Sequence, residues 1–185
     1  MASPVRLYLI RHGRASAGFA EAHDPELDEV GRQQAATVAQ ALAPLGPLPI
    51  ITSPLKRARE TAAPFEAQWN LKARVEEAIA EIPTPGMDLQ VRSAWLRQAM
   101  RGRWSDLPAF YQHWREQVVA ALVVLPTSTV VTTHFVAINA VVSVATGDDR
   151  MICFEPDNCS CTVVEVAEGA LQLVSLGRQR ATQIR

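Results

Sequence analysis

Val5-Arg6-Leu7-Tyr8-Leu9-Ile10 runs straight into Arg11-His12-Gly13-Arg14, and the fold of this chain is read outward from that junction. The first six residues are rich in β-branched, aromatic and other apolar side chains and describe a buried strand. The strand stops where charge and glycine arrive together, and a loop of small residues, Ala15 to Ala20, follows. Downstream the pattern changes period. Asp28 is placed to cap a helix over about 29–42, which Pro44, Gly46, Pro47 and Pro49 end. Leu48 to Thr52 reads as a second strand. Ser53-Pro54 then opens a helix, with Ser as N-cap and Pro at the first helical position, and Pro64 interrupts its pattern.

A third extended stretch is expected over Lys72 to Ile79, with Pro83, Pro85 and Gly86 forming a loop after it. Helices are expected over 88–101 and 107–125. Thr129 to Thr133 is a strongly β-branched strand, and Phe135 to Ala145 a buried helix that Gly147 stops. Cys161–Val166 and Leu171–Leu176 form an antiparallel hairpin around Glu168-Gly169. Strands that alternate with helices argue for an α/β three-layer sandwich, mostly parallel, with an antiparallel edge strand.

The 185 residues, 48% of them hydrophobic, suit one domain over 1–185 with a substantial core. The formal net charge of −1, from 18 basic and 19 acidic residues, excludes a bulk basic field for nucleic acid or an anionic membrane. Any anion site must therefore be a local cluster. No apolar run reaches the roughly 18 residues of a membrane span, and Leu7 to Ile10 is too short for a signal-peptide core, so a cytoplasmic protein is expected. Cys153, Cys159 and Cys161 offer neither a disulfide framework nor a zinc spacing with histidines, and are read as half-buried thiols rather than a metal site.

In open α/β sheets ligands sit beyond the carboxyl ends of the strands. Three polar clusters follow strands here: Arg11-His12-Gly13, Ser53-Pro54-Leu55-Lys56-Arg57, and Thr133-His134. One rim would gather two imidazoles and two guanidiniums. Arginine forks match phosphate oxygens, and Gly13 would let the backbone approach an anion closely. A neutral imidazole attacks phosphorus and splits a hard transfer into two easier ones. Nearby arginines draw charge from the phosphoryl oxygens and keep that imidazole unprotonated. A second imidazole, cationic, would bind the oxygens rather than attack.

Leu7-Tyr8-Leu9-Ile10-Arg11-His12-Gly13 resembles the signature of the histidine phosphatase, or phosphoglycerate mutase-like, superfamily. Five further stretches resemble that family in order: 27–35, 53–62 with Arg57, Ala80-Glu81-Ile82 with Gly86, Val131-Thr132-Thr133-His134, and Asn158-Cys159-Ser160. The resemblance implies the phosphoglycerate mutase-like fold and a phosphatase that needs no metal or other cofactor. By it, His12 is phosphorylated, Arg11, Arg57 and His134 bind the phosphoryl group, and Glu81 is the general acid and then the base. Motif alignment selects Arg57 over Lys56 and Arg59.

Glu81, ahead of a Pro/Gly loop, is preferred to Glu76 and Glu77. Ser16 is a candidate substrate contact. His23 and His113 are read as structural or solvated, and Trp95, Trp104 and Tyr111 as core rather than pocket lining. The short loop from Arg14 lacks the Asn of mutase-type members, which favours a phosphatase over a mutase. Phe135 stands where the family often has Gly, so a reshaped site mouth or a non-catalytic phosphate-binding module stays open. The expected partner is a small-molecule or protein-borne phosphate, with monomer or homodimer undecided.

Overall fold

The computed structural model describes residues 4–18 and 20–180. Position 19, in the small-residue loop, and both chain ends lie outside the described residues. Strand β1 (Val5–Arg11) leads to helix α1 (Glu29–Leu42), strand β2 (Ile50–Thr52), helix α2 (Lys56–Trp69) and strand β3 (Arg74–Val75). Helices α3 (Leu89–Ala99) and α4 (Ala109–Val123), strand β4 (Thr129–Thr133) and helix α5 (Phe135–Thr146) follow. The hairpin β5 (Cys161–Ala167) and β6 (Ala170–Ser175) completes the six-stranded sheet, in the order β3-β2-β4-β1-β5-β6. β1, β2, β3 and β4 pair in parallel; β5 runs antiparallel to both β1 and β6.

Alternation along the strands divides the core into two layers, one on each face of the sheet. Ile10, Ile50 and Val130 pack with Ala35, Val38, Ala39, Ala62 and Phe65 of α1 and α2. Their neighbours Leu9, Ile51 and Val131 belong to a second cluster with Leu96 of α3, Val118 and Leu122 of α4 and Ile138 of α5. Leu7, Leu9 and Ile10 are fully buried, and each such side chain stabilises the fold by about 1.5–3 kcal/mol relative to exposure. Trp104 and Tyr111 are buried in this second cluster, and Trp95 stacks on Tyr111 with ring centroids 4.6 Å apart.

Local signals explain most element ends. Asp28 accepts the Gly31 N–H at 2.7 Å and caps α1, and Gly147 closes α5 in the left-handed conformation at φ 69°. Glu168 and Gly169 both have positive φ, as a two-residue type I′ hairpin turn requires. Two expectations fail. α2 begins at Lys56, not Ser53, because Asp24, remote in sequence, accepts the Lys56 N–H at 2.8 Å; the helix then runs through Pro64. The extended stretch 72–79 shrinks to Arg74–Val75. Glu76 accepts from the Ala78 N–H and from Arg74, and starts a 3₁₀ turn, Glu77–Ile79, that buries Ile79.

Strand register sets the site. Arg11 lies opposite Thr133, and Thr52 opposite Thr132, so β1, β4 and β2 end level with one another. The next residues of each, His12, His134 and Ser53, emerge side by side. His12 N–H donates to Thr133 O at 2.9 Å and Ser53 N–H to Thr132 O at 3.0 Å, carrying the alignment one residue past the strands.

Candidate active site

His12 is buried, and its Nδ1–H donates to the carbonyl of Gly13 at 2.8 Å. That bond fixes the tautomer and leaves the lone pair on Nε2. Arg57 Nε donates to His12 Nε2 at 3.2 Å. Burial, and then the guanidiniums of Arg57 and Arg11, hold the His12 imidazole well below the usual histidine range. The ring is thus neutral at neutral pH, with its free electron pair parked against a guanidinium.

His134 follows β4 and forms the N-cap of α5; its ring centroid is 5.2 Å from that of His12. Its Nε2 shares a hydrogen bond of 2.7 Å with Ser53 Oγ. Complete burial and the positive charge around it push its pKa well down. The cationic second imidazole expected from sequence is therefore corrected: in the free site, burial and the neighbouring guanidiniums disfavour a charge on His134.

Two guanidiniums flank the pair. Arg11 donates through Nη1 to Pro156 O at 2.9 Å, and burial with the neighbouring charge of Arg180 lowers its pKa to about 10. Arg57 is buried, and its Nη1 lies 3.7 Å from Asp24 Oδ1. Glu81 is buried at the N-terminus of α5, where its carboxyl accepts the N–H groups of Ile82 at 3.0 Å and Val136 at 3.5 Å. Burial raises its pKa, opposed by those bonds and by Arg57 and Arg11.

A cleft of about 360 Å³ opens over this group, lined by Arg11, His12, Arg57, Ser16 and the loop through Pro25. Glu81 and His134 are buried beside it rather than on its lining. Gly13 does not line it. Its N–H donates to Thr61 Oγ1 at 3.1 Å, and a Cβ there would meet the Gly31 carbonyl oxygen at 2.5 Å. The missing side chain therefore serves close packing of the loop on α1, not the approach of an anion, and Gly13 leaves the set of substrate contacts. Ser16 stays on the lining, exposed, with its N–H donating to Glu26 O at 2.8 Å. Phe135 lies against Arg11, 5.1 Å from Cζ to ring centroid, and off the lining of this cleft.

Arg92 escapes the sequence reading, as do the individual roles of Asn158 and Ser53 within the motifs quoted for them. Arg92 is buried on α3, lines the cleft and depresses both Arg57 and His134. Its signal was a guanidinium sharing a helical stripe with buried Leu96 and Ala99. Asn158 Nδ2 donates to His12 O at 2.9 Å and so holds the histidine's backbone. Ser53 orients His134. His23 is exposed, as expected, yet stands on the cleft lining. The thiols carry no such role: burial raises Cys159 and Cys161 to about 12. Among the described residues no group of three or more His, Cys, Asp or Glu side chains is arranged to hold a metal ion, and no helix is long and apolar enough to cross a membrane.

Paired histidines and arginines thus gather at the carboxyl ends of a mostly parallel sheet. The profile of the histidine phosphatase superfamily (branch 1) matches residues 7–179, and the chain belongs to that superfamily. Among curated proteins, the glucosyl-3-phosphoglycerate phosphatase of Mycobacterium tuberculosis is 35% identical over 80 residues, 41% of this chain and 36% of that protein. An uncharacterized protein of the same organism is 34% identical over 92 residues, 44% of this chain and 42% of its own length. The aligned region thus takes in less than half of either relative.

Solved structures share the fold over nearly the whole chain. A putative α-ribazole-5′-P phosphatase from Escherichia coli superposes with a TM-score of 0.76 at 18% identity, covering 96% of this chain and 98% of that one. A phosphoserine phosphatase of Entamoeba histolytica, in complex with 3-phosphoglyceric acid, gives 0.74 at 22% identity, covering 97% and 98%.

Proposed function

We propose that the chain is a phosphatase that hydrolyses a phosphomonoester through a phosphohistidine on His12, without a metal ion. The observation that carries this reading is the fixed tautomer of His12, whose Nε2 lone pair faces Arg57 in an arginine-lined cleft. When a phosphoryl dianion enters, Arg57 and Arg11 turn their donors to its oxygens and free Nε2 to attack. The N–P bond forms as the P–O bond to the leaving alcohol breaks, and the Glu81 carboxyl gives that oxygen its proton. Glu81, now a carboxylate, takes a proton from water; the water oxygen attacks phosphorus, the P–N bond breaks, and phosphate leaves. The raised pKa of Glu81 suits the first step, and its position among cations suits the second.

The dianion also raises the proton affinity of His134, so the imidazole neutral in the free site becomes a donor to the bound oxygens. Arginine forks supply charge stabilisation where it develops in the transition state. The short loop after Arg14 favours hydrolysis over mutase-type return of the phosphoryl group. The relatives named as phosphatases of glucosyl-3-phosphoglycerate and phosphoserine point to a small phosphorylated metabolite as substrate.

The test is turnover of p-nitrophenyl phosphate in excess chelator by the wild type and by His12→Ala, with alkaline detergent quenching to trap a phosphoprotein that is stable to base and labile to acid. Turnover and trapped label only in the wild type are expected. Equal turnover by both proteins would sink the reading.

A further inference from the structure

A second cleft of about 360 Å³ adjoins the first, and its lining is strongly cationic. Arg11, Arg97, Arg101 and Arg180 face it, against the single carboxylate of Glu155. Among the described residues none of Arg97, Arg101 and Arg180 has a carboxylate within ion-pair distance. This sets them apart from arginines elsewhere on the surface, such as Arg6, Arg74, Arg150 and Arg178, which each face an acidic side chain.

The arrangement is held by the fold. Arg97 and Arg101 come from the end of α3 and the turn after it. Arg180 is anchored by its N–H to Glu155 O at 3.0 Å, beside the bridge between Pro156 and Gln179. Phe135 forms part of the wall, and its ring holds the Arg11 guanidinium.

The cleft is linked to the site of chemistry by its lining in two ways. Arg11 lines both clefts, and its buried Nε has no hydrogen-bond partner among the described residues. A third cavity shares Gly18 and Glu21 with the first cleft and Arg97 and Met100 with the second. Like charges crowded along one wall are unfavourable until an anion arrives between them. We propose that this cleft is the specificity subsite, and that it takes a second acidic oxyanion carried on the substrate's leaving group. Resting on the phosphatase reading above, this makes the preferred substrate a phosphomonoester with a distal carboxylate or phosphate. Arginine forks serve either oxyanion. Phe135 then acts as the positioning residue that keeps Arg11 between the two anions.

The test uses matched alkyl phosphates of increasing chain length that end in methyl, carboxylate or phosphate, with p-nitrophenyl phosphate as the reference. The wild type is expected to favour an acid-ended ester over its methyl-ended partner by about tenfold or more in kcat/KM at the best length. In R101A/R180A that preference falls below about threefold, while p-nitrophenyl phosphate and the methyl-ended esters stay within about twofold. The carboxylate and phosphate arms show which oxyanion is taken. Should the double variant lose all activity, R101Q and R180Q singly keep the comparison, each expected to lose part of the preference.

A wild type that hydrolyses p-nitrophenyl phosphate but ignores the distal acid overturns the subsite alone. So does a preference that survives in the variants. A wild type inactive on every ester overturns the phosphatase reading and the subsite with it.

Discussion

Arginines occupy two unlike environments in this protein. At the surface, Arg74 reaches Glu76 at 2.7 Å and Arg178 reaches Asp157 at 3.1 Å, with more than half of each arginine side chain in solvent. At the rim of β1, β4 and β2, Arg11 and Arg57 are 8% and 3% exposed, and their nearest strong partners are a carbonyl oxygen, an imidazole nitrogen and a carboxylate at 3.7 Å. Water screens the first group and an acid neutralises it, so little free energy depends on it. The second group keeps charge in a poorly solvated place, where the ion pair it does make, Arg57 with Asp24, is a long one. Such an arrangement costs stability and persists where an anion is to be bound. The contrast separates charge that decorates from charge that acts, and each prediction below tests it.

The largest effect is expected at Arg57. Arg57→Ala should lower kcat/KM on p-nitrophenyl phosphate by about 10³-fold, the scale on which removing one preorganised donor acts. It should also weaken inhibition by inorganic phosphate, measured as a rise in Ki. Arg57→Lys keeps the charge but loses the fork and should recover only part of the loss. A change of less than about fivefold for the Ala variant would place Arg57 with the surface arginines and break the contrast.

Glu81→Gln should follow, with about 10²-fold lost on an alkyl phosphate and about tenfold or less on p-nitrophenyl phosphate, whose leaving group needs little help from an acid. The wild-type rate on alkyl esters should fall as pH rises through the raised pKa of Glu81, and the glutamine variant should lack that limb. Steady-state kinetics on the two esters across pH 5 to 8 measures both. Equal losses on the two leaving groups would assign Glu81 a binding role instead.

Much of this was legible in the sequence, and the limits have physical causes. β1 has an apolar centre from Leu7 to Ile10, and β4 from Thr129 to Thr133 is wholly β-branched and buried, as suits strands of a sheet covered on both faces. His12 and His134 could be placed because each directly follows such a strand. The start of α2 could not. The hydroxyl of Ser53 serves His134 instead of a helix amide, and the cap comes from Asp24, which the chain brings from 32 residues away. Gly13 was right in kind and wrong in reason, since its neighbour Gly31 lies on another element. Arg92 was missed because a lone arginine within a helix reads as a solvated face until the helix is seen to bury it.

Stability against acid should carry a smaller but distinct signature. His12 and His134 are neutral when folded, with pKa values held below that of an unfolded imidazole, about 6.5. Below that pH the unfolded chain takes up the protons that the folded chain refuses. Stability is therefore fully present above about pH 6.5 and lost as pH falls toward the folded values, with each imidazole contributing up to about 1.4 kcal/mol per pH unit. Glu81 acts with the opposite sign. Its raised folded pKa favours the folded state below that value and adds nothing at alkaline pH. Urea denaturation at pH 7.5, 6.5 and 5.5 measures the slope, and inorganic phosphate, by favouring protonated His134, should flatten it. A slope of zero without phosphate would mean that water reaches these rings.

Arg74→Ala should do almost nothing, and that is its use. Arg74 lies on the exposed edge strand β3, and its partner Glu76 keeps the Ala78 N–H when the guanidinium is gone. Stability should change by no more than about 0.5 kcal/mol, kcat/KM by less than about twofold, and the small difference in stability should vanish in high salt. A large loss would show that the edge of the sheet is coupled to the rim through β2. The division between screened and buried arginines would then have to be redrawn along the strands instead of by solvent.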